Sequence, residues 1–499
     1  MFTDEHRGKV WDEIRQRGFR PFAEILTPQV LADAAQGAGT KLVQSALGVP
    51  TLVWLSLSSA LHTSKNFADI LVITFKLIND LRAVQQLQAK RREKASSRRK
   101  SKGKAARKRQ RKSKKRSKYD PHGSDPQKVS EEAFVQARQR MPLAYWVQLL
   151  LILVAQFQAQ HETLTRWRGF RLLALDGSDI PLPFHRRLRE YFGTCKNGKQ
   201  ARTVQARLVM LAFAQVRLAY RYQLVPQSCH EQTAAGRLLQ GLQANDLVLM
   251  DRGFWSFGLF WQIQQQQAFF GIRLRRGVNF KKVRQLGSKD WLVRWSPIKR
   301  SRKKCTWASQ DLPKSIDLRM IEYHIRGFRP SAIVTSVLDP QVLSRNDWVR
   351  MATQDQAGQT LQAGLYHRRW EIETLFYELK VTQKMEGNLR SRTPRGIEYE
   401  IAGHVLLHFL TRWLMVKAAL AHGLDPLRLS YTHALRELED LRSLFLIAEA
   451  DTIVTIVLPM LYERIAQHQV PLRPGRNYPR PSDKHSKYRL SSKQLKSKT

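Results

Sequence analysis

The stretch DLVLMDRGF, residues 246–254, carries the pattern that decides the fold. A short apolar run predicts a buried strand, and a carboxylate, Asp251, stands where that strand ends. The same pattern occurs earlier in FRLLALDGS, residues 170–178, where the run stops at Asp176. A carboxylate at the end of a buried strand lies at the rim of the sheet, where α/β proteins commonly bind ligands. Taken alone, each aspartate is more simply a turn residue, since Asp-Gly is ordinary turn chemistry.

The segments around these two stretches predict a mixed α/β sheet as the core. Two β-rich runs separated by only a few residues, 203–214 and 216–226, predict a hairpin. They are followed by a helix over 230–243, the strand that ends at Asp251, a helix over 254–267 and a strand over 268–276. The predicted order is therefore three strands, helix, strand, helix, strand.

The rest of the chain divides by composition. Residues 277–340 interrupt the alternation with β-rich sequence, which predicts an insertion domain. The full division is a helical N-terminal region over 1–89, a basic disordered linker over 90–125, the core's first part over 126–276, the insertion over 277–340, a helical second part of the core over 341–470, and a basic tail over 471–499.

Charge points to a polyanionic partner. Eighty-five Lys and Arg against 41 Asp and Glu give a net charge of +44. The run from Lys90 to Lys118 holds 18 basic residues and one acid, and residues 473–499 hold nine basic residues and one acid. Basic mobile segments bind phosphate backbones without sequence preference, so we expect the first run to contact DNA, with a purely solvated linker as the alternative.

Cysteine spacing and hydropathy restrict the cellular compartments in which we expect this protein. Cys195, Cys229 and Cys305 lie far apart without a C-x-x-C pair, which argues against disulfides or a zinc site and fits a reducing compartment. The most apolar window, residues 143–160, has an unbroken core too short for a membrane span and contains Gln148. We expect a buried helix there, no membrane partner, and a cytoplasmic protein associated with the nucleoid.

The stretch LYHRRWEIETLFYELKV, residues 365–381, contains three glutamates, and helix geometry separates them. At 100° per residue, one face within roughly 60° holds a phenol, a guanidinium, a carboxylate and an ammonium. These are Tyr366, Arg369, Glu373 and Lys380. Glu371 and Glu378 point to the opposite, polar side. Glu373 alone lies at the edge of the apolar stripe, so it is the third candidate carboxylate.

Asp176, Asp251 and Glu373, without His or Cys ligands, suit a hard divalent ion such as Mg²⁺ or Mn²⁺. Two such ions held ~3.5–4 Å apart activate the attacking oxygen and stabilise the leaving oxygen of a phosphodiester. In a polycationic protein the simplest substrate is nucleic acid. Arg369 and Lys380 would then hold phosphates beside the ions.

At these residues the chain resembles a known family. The spacing Y-x2-R-x3-E-x6-K is the signature of the bacterial insertion-sequence transposases of the IS-four family, and DGS at Asp176 and DRGFWS at Asp251 resemble that family's aspartate motifs. The resemblance extends over about residues 165 to 425. Four linked motifs in the family's order make a chance match improbable.

The resemblance implies a ribonuclease-H-like catalytic core with a β insertion between Asp251 and Glu373. It implies that these two residues and Asp176 are catalytic and bind Mg²⁺ or Mn²⁺, and that the protein acts as a homodimer on double-stranded DNA, both transposon ends and target. Members often excise through a hairpin. In them the signature Tyr and Arg, here Tyr366 and Arg369, contact a backbone phosphate.

Several residues keep two interpretations. In the family a tryptophan of the insertion holds a flipped base, and Trp291, Trp295 and Trp307 are the candidates, each with core packing as the alternative. Arg252 either contacts phosphate or caps the local structure. Two further pairs are predicted to have structural and not functional roles. His230 and Glu231 are interpreted as first-turn helix residues, and His404 and His408 as helix-packing residues.

Three functions follow from the sequence. The first is a cut-and-paste transposase whose N-terminal helices recognise terminal inverted repeats. The second is a nuclease that cleaves without strand transfer, and the third is an inactive, transposase-derived DNA-binding protein. The third is disfavoured because Asp176, Asp251 and Glu373 are all present together with the basic signature residues.

Overall fold

A computed structural model describes residues 20–40, 48–62, 131–197, 201–296, 312–324, 330–349 and 364–471. Four features singled out in the sequence lie outside these residues. They are the basic run 90–118, the basic tail from 473, Trp307 and Cys305.

Fifteen α-helices lie in the described part of the chain. They are α1 Pro28–Gly37, α2 Val49–Leu61, α3 Glu131–Arg140, α4 Leu143–Gln160, α5 Glu162–Thr165, α6 Arg186–Phe192, α7 Glu231–Leu239, α8 Phe257–Gln265, α9 Arg345–Val349, α10 Trp370–Tyr377, α11 Pro394–Ala421, α12 Tyr431–Asp440, α13 Arg442–Ile447, α14 Ala450–Thr452 and α15 Leu458–Gln467. Short 3₁₀ turns occupy Arg20–Phe22, Arg252–Phe254, Leu365–Arg369 and Pro426–Arg428, and π turns occupy Glu378–Thr382 and Ile453–Val457.

One mixed sheet forms the centre. Its strands are β1 Arg166–Trp167, β2 Phe170–Pro181, β3 Thr194–Asn197, β4 Ala201–Phe213, β5 Leu218–Pro226, β6 Asp246–Met250, β7 Phe269–Arg273, β8 Lys281–Gly287, β9 Asp290–Trp295, β10 Ile316–Tyr323 and β11 Ser331–Thr335. The order across the sheet is β3-β4-β2-β6-β7-β11-β10-β9-β8, with β1 on β2 and β5 on β4. The expected mixed α/β architecture, a large mixed sheet flanked by helices, is confirmed.

The middle of the sheet follows from the apolar runs. Strand β6 is buried along its whole length, and it pairs in parallel with β2 on one side and β7 on the other. Strands buried on both faces are continuous hydrophobic runs, which is what the sequence shows here. Strands β4 and β5 form the hairpin predicted from their spacing.

The β-rich segment over 277–340 does not form a sheet of its own. Strand β11 pairs antiparallel with β7, β10 with β11, and β9 with both β10 and β8. The insertion therefore extends the core sheet. The sequence could not indicate this, because strand pairing across a long connection leaves no local pattern.

Helices cover the sheet. The 28-residue α11 is buried along most of its length and packs against α2, α4 and α15. Helix α4, over the apolar window, is the one helix in the described ranges long and apolar enough to cross a membrane by length and composition. Tyr145, Leu149, Leu153 and Phe157 on α4 are fully buried inside the protein.

Candidate active site

Asp251 follows the end of β6, whereas the strand end predicted at Asp176 is wrong, because β2 continues to Pro181 paired with β4 and only its pairing with β6 stops at Leu175. Strands β2 and β6 run parallel, and Leu175 is the register partner of Met250. Asp176 and Asp251 each follow that aligned pair by one residue, so the two carboxylates belong to neighbouring strands at equivalent heights. This is the geometry expected when ligand groups gather at the carboxyl ends of parallel strands.

The third carboxylate comes from helix α10, which packs on β2. Between Glu373 and Asp176 lies the guanidinium of Arg369. Its Nη2 donates to Glu373 Oε1 at 2.9 Å, and its Nη1 lies 3.8 Å from Asp176 Oδ2. Arg369 is only 5% exposed, whereas the Glu373 side chain is 38% exposed. One buried cation therefore connects the carboxylate on β2 with the helix carboxylate.

Electrostatics place Asp251 in the same group. The pKa of Asp176 is raised to about 6, chiefly because burial disfavours the charged carboxylate. The Gly177 amide and Arg369 act against this shift, and the negative charges of Glu373 and Asp251 add to it. Asp176 and Glu373 therefore flank Arg369, and Asp251 is near enough for its negative charge to act on Asp176.

The hydroxyl of Tyr366 forms hydrogen bonds with two backbone groups of the protein. It donates to the carbonyl of Met250 at 3.0 Å and accepts from the amide of Arg273 at 3.2 Å. The side chain is buried. Because Met250 immediately precedes Asp251, Tyr366 fixes the chain at the point where that carboxylate leaves β6. The predicted phosphate contact would require this buried hydroxyl to reach solvent.

Lys380 also contacts the strand that carries Asp176. Its Nζ donates to the Ser178 hydroxyl at 3.3 Å and to the Asp179 carbonyl at 2.9 Å. The helix is not uniform here, since a 3₁₀ turn holds Tyr366 and Arg369 and a π turn, Glu378–Thr382, holds Lys380. The uniform 100° wheel is therefore wrong at both ends, although it placed all four side chains on the correct side.

The interpretation of Glu371 and Glu378 as solvent-facing is wrong. Glu378 is only 5% exposed and bonds Arg412 and His408 of α11. Glu371 accepts from Arg217 at 2.5 Å. The wheel assigned them correctly to the opposite face, but that face is covered by neighbouring elements, which supply positive charge.

Comparisons with known proteins found matches at the level of sequence. Residues 167–410 match the family model described as a transposase DDE domain. The chain is 28% identical over 319 residues to the transposase InsG for insertion sequence element IS4 of Escherichia coli strain K12, an alignment that covers 61% of this chain and 66% of the relative. The chain thus spans slightly less than two thirds of that relative. Over residues 167–410 the chain is therefore similar to the transposase DDE domain family.

A solved structure was also found. The cryo-EM structure of the piggyBac transposase synaptic complex with hairpin DNA is 12% identical, with a TM-score of 0.29, covering 61% of this chain and 59% of that one. At this TM-score the likeness carries no weight for the fold.

Glu231 makes contacts that the sequence did not indicate. It stands in the first turn of α7, as expected, with His230 as the preceding cap residue. Its carboxylate also lies against both aspartate motifs: a Cβ added to Gly177 would be 3.0 Å from Glu231 Oε1, and one added to Gly253 would be 3.7 Å from Oε2. The glycines after the two aspartates leave room for this carboxylate, a relationship that only the folded chain reveals.

A basic cavity of 760 Å³ lies where the core meets the insertion. Cationic residues dominate its described lining, with Glu322 as the acid among them. They are Arg252, Arg273, Arg275, Arg276 and Lys289. Arg252 directly follows Asp251, so the cavity begins beside the carboxylates. Arg252 therefore lies on the wall of this cavity and also begins the 3₁₀ turn that follows Asp251.

The described tryptophans of the insertion differ in setting. Trp295 is 8% exposed, and its ring packs among Trp255, Phe257, Phe260 and Phe280. That is the core-packing alternative. Trp291 is half-buried, with the Lys282 ammonium 3.9 Å from its ring centroid, and its register partner Met320 lines the basic cavity.

His404 and His408 are buried on α11. Burial lowers the pKa of His404 to about 3, so this imidazole is neutral. His408 bonds the buried carboxylate of Glu378 at 2.9 Å. Both residues therefore pack the helix, in line with the prediction.

The donor set of the site suits a hard metal ion. Among the residues that the structure describes, no three acidic, histidine or cysteine side chains converge closely enough to hold an ion as they stand. Arg369, between Asp176 and Glu373, accounts for this spacing. The chemistry nevertheless fits, because the available donors are carboxylate oxygens, which hard divalent ions prefer.

Proposed function

We propose that this protein is an active transposase of a bacterial insertion sequence, which binds terminal inverted repeats and catalyses metal-dependent cleavage and strand transfer of DNA. The observation that carries the proposal is the grouping of Asp176 and Glu373 around Arg369, with Asp251 on the adjoining strand. The family match and the net charge of +44 support it.

We propose that the core is ribonuclease-H-like. Strands β5, β4 and β2 form an antiparallel meander, and β6 and β7 continue from β2 in parallel, each after a helix. This order supports the assignment. It also explains why Asp176 and Asp251, 75 positions apart, come to equivalent heights on neighbouring strands.

Asp176, Asp251 and Glu373 would hold two Mg²⁺ or Mn²⁺ ions. When bound, such ions activate the attacking oxygen and stabilise the leaving oxygen of the phosphodiester. The chain's own residues set the geometry: Tyr366 fixes the chain before Asp251, and Lys380 docks the helix on β2. Arg369, stacked on Trp370 beside Glu373, is placed to shift from the carboxylates to a phosphate.

The DNA path would follow the basic cavity. Its five cations neutralise phosphates, and Trp291 on the adjoining sheet face supplies a ring on which a base can stack. This arrangement suits a hairpin intermediate, in which the strand bends sharply beside the cleaved bond. We further propose that the protein works as a homodimer on DNA and that its N-terminal helices recognise the ends.

The test is a cleavage and strand-transfer assay on DNA that carries the sequences flanking the gene, with Mg²⁺. Wild type should nick at a repeated end sequence and join pre-cleaved ends to target DNA. Glu373→Gln should abolish both reactions while leaving DNA affinity unchanged. Glu463→Gln, the same substitution at an exposed site on α15, is the matched control.

The outcomes separate the alternatives. Cleavage without joining would indicate a nuclease, and DNA binding without either reaction would indicate an inactive relative. Joining by Glu373→Gln at the wild-type rate would refute the assignment of the carboxylates. Short inverted repeats on both sides of the gene would favour transposition over simple cleavage.

A further inference from the structure

Glu378 is a buried anion in the helix that carries Glu373. It lies at the start of the π turn that follows α10. Arg412 donates to both of its carboxylate oxygens, His408 bonds Oε2 at 2.9 Å, and Arg217 Nη1 lies 3.5 Å from Oε1. Three elements that are distant in sequence therefore meet on one carboxylate.

These partners keep the carboxylate of Glu378 in its charged form. Burial alone would raise the pKa of its carboxyl, but the positive charge of Arg412 and the hydrogen bond from His408 outweigh burial and lower it to about 2. The group is thus ionised at all physiological pH values. Removing one member of such a network leaves the other charges buried without compensation.

The π turn that begins at Glu378 is also attached to the sheet on its opposite side, through Lys380. Glu378 and Lys380 are two residues apart, which in a helix places them on roughly opposite sides. Glu378 is held by α11, whereas Lys380 is held by Ser178 and the Asp179 carbonyl of β2. Lys380 also forms an ion pair with Glu386 at 3.2 Å. The π turn lies between these two attachments, and π turns occur frequently at functional sites.

The network continues on both sides of the turn. Arg217, from the β4–β5 connection, has a positive φ of 54° and also bonds Glu371, seven residues before Glu378. Gln383, just after the turn, bonds the Tyr431 hydroxyl at 2.8 Å. The helix is therefore fixed before, at and after the turn, while Glu373 lies between the two glutamates held by Arg217.

We propose that Glu378 is a positioning residue for the active site: its ion network fixes the helix that carries Glu373 and Lys380 against the strand that carries Asp176. Glu378 does not touch DNA. It acts through the register of the helix, so its loss shifts the third carboxylate relative to the two aspartates. This inference rests on the proposed cleavage function, which it deepens.

The competing interpretation is a stabilising buried ion pair without any active-site role. The chain offers a matched example in the pair of Arg171 and Asp246, which is equally buried and bonded at 2.5 and 2.7 Å. That pair lies at the start of β2 and β6, away from their carboxyl ends. Asp246→Asn is therefore the control for Glu378→Gln.

The first experiment measures single-turnover cleavage on saturating DNA, DNA affinity and thermal stability, well below the melting temperature of each variant. Both variants should melt at lower temperature. Glu378→Gln should reduce the cleavage rate constant by about 10²-fold with unchanged DNA affinity, because a misplacement on the order of 1 Å has an effect of that size. Equal rate losses in the two variants, or none in Glu378→Gln, would overturn the proposal.

The second experiment does not depend on cleavage. Lys380 is held against Ser178 and Asp179, so an amine-reactive label should modify it slowly in wild type and several-fold faster in Glu378→Gln. Asp246→Asn should leave the labelling rate unchanged. Wild type that fails to cleave but shows this labelling difference would remove the proposed function while the positioning role stands. Unchanged labelling of Lys380 would remove the positioning role.

Arg217→Gln is the milder variant if Glu378→Gln does not fold. It removes the most distant cation of the network and leaves Arg412 and His408 on Glu378. Its cleavage rate should fall less than that of Glu378→Gln, and Lys380 labelling should rise in proportion. A rate loss without faster labelling would contradict positioning through the helix.

Discussion

The guanidinium of Arg369 lies between the carboxylates of Asp176 and Glu373, 3.8 Å from one and 2.9 Å from the other. A buried cation thus lies between two of the carboxylates to which the proposed function assigns metal binding. In the DNA-free protein it reduces the repulsion between the carboxylates. This relationship gives the first prediction.

Arg369→Ala should bind Mn²⁺ more tightly than wild type in the absence of DNA, because the carboxylates lose their competing cation. DNA cleavage should nevertheless fall, since a phosphate contact is lost as well. Isothermal titration with Mn²⁺ measures the first effect and a cleavage assay the second. Arg368→Ala, which removes the same charge at the adjacent position, is the control. Weaker Mn²⁺ binding by Arg369→Ala would show that the arginine assembles the site.

Asp176 should make the stability of the metal-free protein depend on pH. Its folded-state pKa of about 6 lies above the ordinary value of 3.8, so the folded state favours the protonated form. The resulting stabilisation is fully present below pH 3.8 and is lost as pH rises through 6. It amounts to about 3 kcal/mol, from about 1.4 kcal/mol per pKa unit.

Denaturant unfolding at several pH values, compared between wild type and Asp176→Asn, measures this difference. Wild type should lose stability relative to the variant between pH 4 and pH 7, and saturating Mn²⁺ at pH 7 should reverse the loss. Parallel stability curves for the two proteins would contradict a raised pKa at Asp176.

Gly177→Ala should impair cleavage by displacing Glu231. The added Cβ would lie 3.0 Å from Glu231 Oε1, closer than ordinary packing, and the carboxylate would have to move beside both aspartate motifs. We expect a loss on the order of tenfold in the cleavage rate. Gly287→Ala, whose Cβ would have its nearest neighbour at 4.0 Å, is the control. If adding Glu231→Ala relieves none of the loss, the crowding explanation fails.

Trp295→Ala and Trp291→Ala should separate stability from DNA binding. Trp295 belongs to the aromatic cluster, so its truncation should reduce the free energy of unfolding by roughly 3–5 kcal/mol. Trp291→Ala should have a small effect on unfolding but weaken binding of hairpin DNA by about 1–3 kcal/mol. Denaturant unfolding and fluorescence anisotropy are the measurements. Equal hairpin affinity in Trp291→Ala and wild type would exclude it as the stacking residue.

Deletion of residues 90–118 should reduce the salt dependence of DNA binding. The segment carries 18 basic residues, and each phosphate contact contributes about 0.9 to the slope of log K against log salt. Binding isotherms at several salt concentrations measure the slope. A scrambled segment of the same composition should retain it. An unchanged slope after deletion would leave the segment as a solvated linker.

Sequence patterns predicted the features that depend on local structure and on linked motifs. The alternation of apolar runs and helices predicted the mixed sheet, because strands buried on both faces leave continuous hydrophobic runs. The helix wheel selected Glu373 from three glutamates. By contrast, the π turn at Glu378–Thr382 and the joining of the insertion to β7 depend on pairings across long connections.

By itself, therefore, the sequence determined the two aspartate motifs, the signature helix and the polycationic character of the chain, since each is a pattern of neighbouring residues. It placed the end of the first strand at Asp176, whereas β2 continues to Pro181 because β4 pairs with it. Only the tertiary structure decided the environment of each charge. Glu378 looked solvent-exposed on the wheel and is a buried anion, because Arg412 and His408 approach it from another helix. Glu231 looked like an ordinary first-turn residue and lies against two glycines, one on β2 and one in the 3₁₀ turn after β6. Side chains that meet across long separations leave no periodic signal, and burial of a charge depends on partners that only folding supplies.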